Sequence, residues 1–439
     1  MPLVPLVLAA CFEDPAQTNS DGPGETEVGD GDGDPTGDGD GEGDGDGEGD
    51  GDGDGEGDGD GEGDGDGDGD GDGDGDGDGD GDGDGDPGPC SDGPYPVSYT
   101  GPVVLQTGPN AQGITLGDVD NDGDLDIIVT SRDAHHIATY RNVGNGSFSM
   151  PVITELGDGN YPDRILGGPI ADGVFDVVFR SFVNNTLFVR MRGDGQGGFY
   201  DYEAIQPETG RFTLGLATAD QALDIISAGQ QKVIVYEASI GQESYFPVMA
   251  HESSAPFGNP GPITAADFDD DGDLDVAVAT FGNLYIGLGD GPANFIFGPP
   301  MAFFGGPSDI TTGDVNGDGQ LDIVLTTLGG GSDAGHVFRG MGDGSFSSDM
   351  VIPAPSAPNA VAVADINLDG FDDVAAVGSS GNMAAYLSTG EGFGPGMQLS
   401  CPGFNPHQLW IGDLNGDCVG DVVTVVPDGG VCIMMSEPR

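Results

Sequence analysis

An acidic loop, Asp118-Val-Asp-Asn-Asp-Gly-Asp-Leu-Asp126, recurs along the chain, and an apolar run follows the loop. Further copies start at Asp267, Asp314, Asp365 and Asp413. The shared pattern, Asp-x-[Asp/Asn]-x-Asp-Gly-x-x-Asp, offers side-chain oxygens at positions 1, 3, 5 and 9 and a backbone carbonyl at position 7. Oxygen donors arranged around a glycine turn predict a hard cation, and the flexible loop favours Ca²⁺ over Mg²⁺ and transition metals. Solvated turn residues are the alternative, but they do not explain the repeated spacing.

The acidic loops mark a structural repeat with a mean interval of about 49 residues. Two eroded copies, ILGGPIADGVFDVV ending at Val178 and TLGLATADQALDII ending at Ile226, bring the number of repeats to seven. Each repeat contains four short strand-like pieces bounded by Gly, Asn and Asp, and none shows a sustained helical period. The pattern predicts an all-β fold, a seven-bladed β-propeller of four-stranded antiparallel blades.

The last repeat is short of one strand, because only two strand-like pieces follow Asp421. The run Pro102-Val-Val-Leu-Gln-Thr107 matches the fourth strand of the first repeat and precedes that repeat in the chain. We therefore expect this N-terminal strand to close the last blade, which leaves the ring without an exposed edge.

Five cysteines occur, and the first is preceded by a short apolar run. The run ends in Leu8-Ala-Ala-Cys11, which resembles the lipobox of bacterial lipoproteins, although a basic segment before it is missing. We expect residues 1–11 to be a lipoprotein-type signal peptide with Cys11 lipidated; an apolar terminus with a free cysteine is the alternative. The closed ring places Cys90 near blade seven, where Cys401, Cys418 and Cys432 lie. It predicts one disulfide between Cys90 and that blade and a second within it.

Residues 29–86 are a nearly strict alternation of Gly with Asp or Glu. A segment with nothing to bury and 28 acids between Asp30 and Asp86 repels itself, so we expect residues 12–96 to be a disordered, extended acidic tether. Residues 97–439 are then the propeller. The formal net charge of −68 excludes nucleic acid and disfavours anionic membrane surfaces as partners, whereas it favours divalent cations.

From Pro102 to about Met435 the repeats resemble FG-GAP/VCBS repeats, the units of the integrin α-subunit propeller. In that family the loop joins the first two strands of a blade and holds Ca²⁺, so the resemblance implies about four to five calcium sites. The implied side-chain ligands are Asp118, Asp120, Asp122 and Asp126; Asp267, Asp269, Asp271 and Asp275; Asp314, Asn316, Asp318 and Asp322; Asp365, Asn367, Asp369 and Asp373; and Asp413, Asn415, Asp417 and Asp421. The implied carbonyl ligands belong to Asp124, Asp273, Gln320, Phe371 and Val419.

Three of the loops depart from the pattern. Blades two and three keep only Asp172 with Asp176, and Asp220 with Asp224. Two carboxylates cannot fill a calcium shell, so we expect both of these loops to be empty. In blade seven Cys418 stands at position 6, and a non-glycine residue at positive φ costs roughly 1–2 kcal/mol. We expect this site to be the weakest.

Basic side chains are scarce, and several map to the end of the blades opposite the acidic loops. They are Arg132, His135, His136, Arg164, Arg180 and Arg211, with His336 and His407 on the same face. We expect this set to bind an anionic group such as a uronate or a partner carboxylate; local salt bridges and turn contacts are the alternative. We expect Trp410 to pack between blades rather than to stack on a sugar.

Catalytic signatures are not legible: the sequence has no His-x-x-x-His or Glu-x-x-His spacing and no Gly-x-Ser-x-Gly elbow. The sequence favours a monomeric, calcium-stabilised binding or adhesion propeller at the bacterial outer membrane or cell surface. The lipid anchor is its expected contact with the membrane, and its expected partner is an extracellular protein or anionic glycan. The alternatives are a propeller-type polysaccharide lyase or hydrolase with a site in the central channel, and a structural coat protein.

Overall fold

A computed structural model describes the chain over residues 93–170, 173–183, 185–205, 211–218, 222–238, 250–329, 333–348, 350–401, 405–427 and 430–438, with Cys90 and Gly403. The predicted signal peptide, Cys11 and all but the end of the predicted tether lie outside these ranges. Within them every helix or strand is a β-strand, and no helix is long and apolar enough to cross a membrane.

The strands form seven antiparallel sheets, one for each repeat. Strand β1 (Val97–Leu105) comes first and belongs to the last sheet. Blade one contains β2 (Ala111–Gly117), β3 (Asp126–Ser131), β4 (His136–Tyr140) and β5 (Val152–Glu155); blade two contains β6 (Pro162–Pro169), β7 (Phe175–Val183), β8 (Asn185–Gly193) and β9 (Phe199–Ile205). Blade three contains β10 (Phe212–Gly215), β11 (Asp224–Gly229), β12 (Lys232–Tyr236) and β13 (Ala250–Ser254).

The remaining blades repeat the arrangement. Blade four contains β14 (Ile263–Ala266), β15 (Asp275–Thr280), β16 (Asn283–Gly289), β17 (Phe295–Phe297) and the short β18 (Met301–Ala302), which also pairs with β16. Blade five contains β19 (Gly306–Gly313), β20 (Asp322–Leu328), β21 (Ala334–Phe338) and β22 (Met350–Pro353); blade six contains β23 (Pro358–Ala364), β24 (Asp373–Gly378), β25 (Asn382–Tyr386) and β26 (Met397–Ser400). Blade seven contains β27 (Leu409–Gly412), β28 (Asp421–Val426) and β29 (Gly430–Pro438).

The ring closes as predicted, because β1 pairs antiparallel with β29 from Val97 opposite Pro438 to Leu105 opposite Val431. The N-terminal strand therefore supplies the fourth strand of blade seven. This confirms the seven-bladed, four-stranded architecture expected from the repeat.

Burial explains why each repeat has this strand pattern. The second strands β3, β11, β15, β24 and β28 are buried at every position, because both faces of a blade pack against neighbouring blades. The outer strands β5, β22 and β26 bury one residue in four and expose the rest in part or fully. The apolar runs that follow the acidic loops are therefore the centres of the blades.

Two disulfides fix the closure region. Cys90 is bonded to Cys418, with their Cα atoms 5.6 Å apart, and Cys401 is bonded to Cys432, with their Cα atoms 6.0 Å apart. The first bond confirms the predicted link between Cys90 and blade seven. The second differs in one respect from the prediction, since Cys401 directly follows β26 and the bond therefore connects the end of blade six to blade seven.

Acidic loops, aspartate latches and a basic cavity

The five complete acidic loops each join the first strand of a blade to the second and share one backbone shape. Position 4 has a positive φ of 54–74° in every copy: Asn121, Asp270, Gly317, Leu368 and Gly416. Position 6 has a positive φ of 68–95°: Gly123, Gly272, Gly319, Gly370 and Cys418. Cys418 therefore adopts the left-handed conformation that the sequence predicted to be costly at this position.

The acidic side chains converge most closely in blades one and four. One carboxylate oxygen from each of Asp118, Asp120 and Asp122 lies within 4.8 Å of the others, and the same holds in the loop that begins at Asp267. Among the described residues, the buried Oδ1 atoms of Asp120, Asp267 and Asp269 accept no hydrogen bond. Buried oxygens without donors are costly, so these two loops fit a hard cation.

Asn at position 3 reduces the number of carboxylates in blades five to seven. In blade six the Asn367 amide donates to Asp369 Oδ2 at 3.1 Å, which leaves Asn367 Oδ1 buried and without a donor among the described residues. In blade seven Asn415 donates to Asp417 Oδ2 at 3.0 Å. Cys418 also lies near Asp413, but its sulfur is in the disulfide to Cys90 and is not available as a thiolate ligand.

The aspartate at position 9 has a second role that the sequence analysis missed. It is fully buried in all five complete loops. In blade one, Asp126 Oδ2 accepts the N–H of Val119 at 2.9 Å, and its Oδ1 accepts the N–H of Asn142, just beyond the third strand, at 2.7 Å. The same pair of bonds occurs at Asp275, Asp322, Asp373 and Asp421. We call these residues the latch aspartates, because each ties its loop to two places in the blade.

The eroded blades keep their latch aspartates. Asp176 Oδ1 accepts the N–H of Gly193 at 2.9 Å, and Asp224 Oδ1 accepts the N–H of Ala238 at 2.7 Å. The buried aspartate and its hydrogen bond at the end of the third strand are therefore present in all seven blades, including the two whose loops lost the acids at positions 1 and 3. The signal was available in the sequence, since the aspartates at positions 5 and 9 survive in both eroded copies although two carboxylates cannot fill a calcium shell. Asp172 and Asp220 lie outside the described residues.

Burial raises the pKa of the latch aspartates, although their backbone hydrogen bonds act in the opposite direction. The pKa is about 7 for Asp126, Asp275, Asp322 and Asp421 and about 8 for Asp373. Nearby loop carboxylates raise the pKa further. A cation in the loop would favour the ionised form of these groups.

In blade two, a buried arginine side chain lies beside the latch aspartate. Arg190 on β8 is 2% exposed, and its Nη2 donates to Asp176 Oδ2. Its Nη1 lies 3.9 Å from Glu203 Oε2 on β9. An arginine side chain thus contacts the latch aspartate in a blade whose loop lacks the acids needed for calcium.

A cavity of about 540 Å³ lies at the other end of the blades. Its lining includes four of the ten basic residues of the chain, Arg132, Arg164, Arg180 and Arg211, together with His407. Arg132 follows β3, and Arg164 lies near the start of β6. Since acidic loops connect the ends of first strands to the starts of second strands, these positions lie at the opposite end.

The four arginines differ in their partners. Arg164 pairs with Asp309 at 3.5 Å, and Arg180 pairs with Asp163 at 2.8 Å. Among the described residues, neither Arg132 nor Arg211 has a carboxylate within ion-pair distance. Burial lowers the pKa of Arg211, and the charge of Arg164 lowers it further. Local salt bridges therefore account for two of the four cavity arginines.

Phe182 supports two of these guanidinium groups. The Arg132 and Arg180 Cζ atoms lie 5.4 Å and 5.0 Å from the centre of its ring. Cation–π contacts at these distances hold a guanidinium in place. No local sequence pattern indicates this contact.

Of the predicted histidines, His407 lines the cavity, whereas His135, His136 and His336 do not. His135 Nδ1 contacts the Asn160 carbonyl oxygen, and the His135 ring meets Tyr161 edge-on at 4.9 Å. His136 lies at the start of β4, and burial lowers its pKa. His336 is 2% exposed and bonds to Thr327 Oγ1 at 3.1 Å.

A smaller cavity of about 90 Å³ adjoins the basic cavity at Arg164 and Gln408 and is lined by the first strands of blades two to seven. Its wall is mainly aliphatic and threonine side chains, and the charged residues lining it are the paired Arg164 and Asp309. Trp410 is 8% exposed and donates its Nε1–H to the Ile114 carbonyl at 2.7 Å. The expected packing role of Trp410 is confirmed.

Comparisons with known proteins agree with this fold. A family model described as FG-GAP-like repeat matches residues 118–168, 267–325, 314–376 and 365–424. No curated protein matches the chain. One similar solved structure is a lectin of Agrocybe aegerita described as recognising non-reducing terminal N-acetylglucosamine; the TM-score is 0.51 at 18% identity, covering 75% of this chain and 86% of the lectin.

A second similar structure is BBS1N, solved in complex with ARL6DN, with a TM-score of 0.50 at 12% identity over 77% of this chain and 96% of BBS1N. At these identities both structures show a shared fold. The matched repeats and the seven four-stranded blades together identify the chain as an FG-GAP-repeat protein, folded as a seven-bladed β-propeller.

Proposed function

We propose that this protein is a calcium-stabilised binding or adhesion propeller whose basic cavity takes an anionic group of an extracellular protein or glycan. One observation carries the proposal. In a chain with a net charge of −68, four arginines line one cavity, and two of them have no carboxylate partner among the described residues. A local positive field in an acidic protein selects anionic ligands.

Calcium has a structural role in this proposal. The buried, unpartnered oxygens of Asp120, Asp267 and Asp269 support it, as does the close approach of the acids in blades one and four. When bound, Ca²⁺ offsets carboxylate repulsion and fixes the loop between two strands. The residues that would hold it are those at positions 1, 3 and 5, with the position-7 carbonyl and the latch aspartate.

The lectin supports a binding role at the level of the fold, because a propeller of similar architecture recognises a sugar. The acidic tether and Cys11 complete the proposal, with a lipid anchor that holds the propeller away from a bacterial outer membrane or cell surface. Metabolic labelling with a fatty acid should label the wild-type chain and not Cys11→Ser. Labelling of both proteins would remove Cys11 as the anchor.

A glycan and protein array tests the function directly. The full-length Cys11→Ser chain, in calcium buffer, is expected to bind a subset of acidic glycans or acidic proteins, and Arg132→Ala is expected to lose most of the signal. Absence of any acidic ligand would refute the proposal. Incubation with acidic polysaccharides, followed by detection of released products, distinguishes binding from cleavage. Turnover would establish the lyase or hydrolase alternative in place of a binding protein.

A further inference from the structure

We infer that the basic cavity recognises a uronic acid unit at the end of a glycan, with Arg132 and Arg211 binding its carboxylate; this rests on the proposed binding function. The positive charges of the cavity indicate that its ligand carries a carboxylate. Asp309 and Asp163 balance Arg164 and Arg180, so two positive charges of the cavity remain uncompensated by the described carboxylates. Guanidinium groups present parallel N–H donors that match the two oxygens of a carboxylate.

The cavity is organised before a ligand arrives. Phe182 holds the Arg132 guanidinium from one side, and the Arg180 guanidinium lies on the same ring. Arg180 in turn is anchored by Asp163 at 2.8 Å. A long side chain that is already held loses less conformational entropy on binding, so this arrangement favours affinity for a small anion.

Neutral polar groups indicate a sugar rather than a simple acid. Amide side chains line the same cavity at Asn110, Gln112 and Asn359. Asn359 Nδ2 donates a hydrogen bond to the Pro406 carbonyl oxygen at 2.9 Å, and this bond orients the Asn359 amide group. Side-chain amides both donate to and accept from hydroxyl groups. Pro307 and Leu328 add an apolar border, which suits the C–H face of a pyranose ring.

The shape of the cavity favours a chain end. Its volume of about 540 Å³ is in the range of small-ligand sites, roughly 300–1,000 Å³. The adjoining cavity has a volume of only about 90 Å³ and is bordered by Trp410, which is fixed by its hydrogen bond to Ile114. A space of this volume is too small for a further sugar unit, so we expect a glycan to enter the basic cavity by its terminus or by a single residue.

Calorimetry with matched ligands and variants tests the inference. The protein is the full-length Cys11→Ser chain in calcium buffer, and the ligands are oligogalacturonides, their methyl esters, neutral oligosaccharides of equal length and Asp-rich peptides. We expect the oligogalacturonides to bind and the methyl esters, in which an uncharged ester replaces each carboxylate, to bind at least about tenfold more weakly. Equal binding of acid and ester would overturn the carboxylate assignment.

The variants identify the residues. Arg132→Gln and Arg211→Gln are each expected to weaken oligogalacturonide binding by about tenfold or more, and the lysine variants are expected to recover part of it. Lys232→Gln removes one positive charge at the start of β12, outside the cavity lining, and is expected to leave binding unchanged. An equal loss of binding in Lys232→Gln would mean that the overall charge of the protein, and not a specific pair of arginines, determines binding. It would overturn the assignment of Arg132 and Arg211 to the carboxylate. Thermal melting checks that each variant is folded.

The remaining outcomes distinguish the uronate assignment from the proposed anion-binding function. Binding of Asp-rich peptides without binding of any uronate overturns the sugar assignment and leaves the proposed anion-binding function in place. Failure of every acidic glycan and acidic protein on the array overturns the proposed function itself.

Discussion

Arg190 allows a direct test of how blade two holds its latch aspartate without a complete acidic loop. The Arg190 side chain is 3% exposed and that of Asp176 is 1% exposed, and the two groups are in contact. In Arg190→Met the side chain keeps a similar length but loses its charge, which leaves the buried Asp176 carboxylate without this cation. Removing one partner of a buried ion pair costs about 3–5 kcal/mol, and we expect a loss in that range.

The assay is urea unfolding of the full-length Cys11→Ser chain and of the Arg190→Met variant in that background, in calcium and in EDTA. If Arg190 takes the place of a metal ion in blade two, its loss lowers the free energy of unfolding by the same amount in both buffers. A double variant that combines Arg190→Met with Asp176→Asn is expected to lose less than the two single variants together, because no buried charge remains uncompensated. Asn retains an acceptor for the Gly193 N–H.

Two results would refute this reasoning. A loss of unfolding free energy below about 1 kcal/mol would mean that the ion pair of Arg190 and Asp176 contributes as little to stability as a surface ion pair does. A loss that added calcium restores would mean that the blade two loop binds the ion after all, and that Arg190 does not replace it.

Three further predictions concern the ring as a whole. EDTA is expected to lower the melting temperature, because a ligand held at 100 times its Kd stabilises a protein by about 2.7 kcal/mol per site; an unchanged melting temperature contradicts a structural role for calcium. In EDTA, the free energy of unfolding is expected to fall as pH rises from about 4 to about 8. The pKa of Asp373 is raised by burial to about 8, so the folded state retains a proton that the unfolded state releases, and a rise in stability over this window would contradict the raised pKa. Peptide mapping without reduction is expected to recover the Cys90–Cys418 and Cys401–Cys432 pairs, and free thiols at these positions would contradict the closure.

Much of the fold follows from the sequence, because a propeller repeats one local pattern. The strand periods, the acidic loop between the first and second strands and the unmatched run from Pro102 to Thr107 are all short-range signals. Together they predicted seven blades and the pairing of β1 with β29. The glycines at position 6 predicted a positive φ there, and Cys418, which replaces this glycine in blade seven, also has a positive φ of 68°.

Contacts between blades were not predictable in the same way. Gln408 Oε1 accepts the N–H groups of Ile114 at 3.1 Å and Ile165 at 3.2 Å, so one side chain joins three blades across 294 and 243 residues. Likewise, nothing local to Arg190 indicates that it faces Asp176, since the register of β7 with β8 decides this. Side-chain pairs of this kind depend on the closed ring, and the sequence pattern of a single repeat does not contain them.

Blade two combines these features in a way that bears on function. It contains four of the ten basic residues, Arg164, Arg180, Arg190 and Arg192, in a chain with a large excess of acid. Arg190 holds the latch at one end, while Arg164 and Arg180 line the cavity at the other. Because an arginine is covalently part of the blade, its charge does not depend on the calcium concentration. Blade two, whose loop lost the acids at positions 1 and 3, therefore supplies an arginine to its own latch aspartate at one end and two arginines to the cavity at the other.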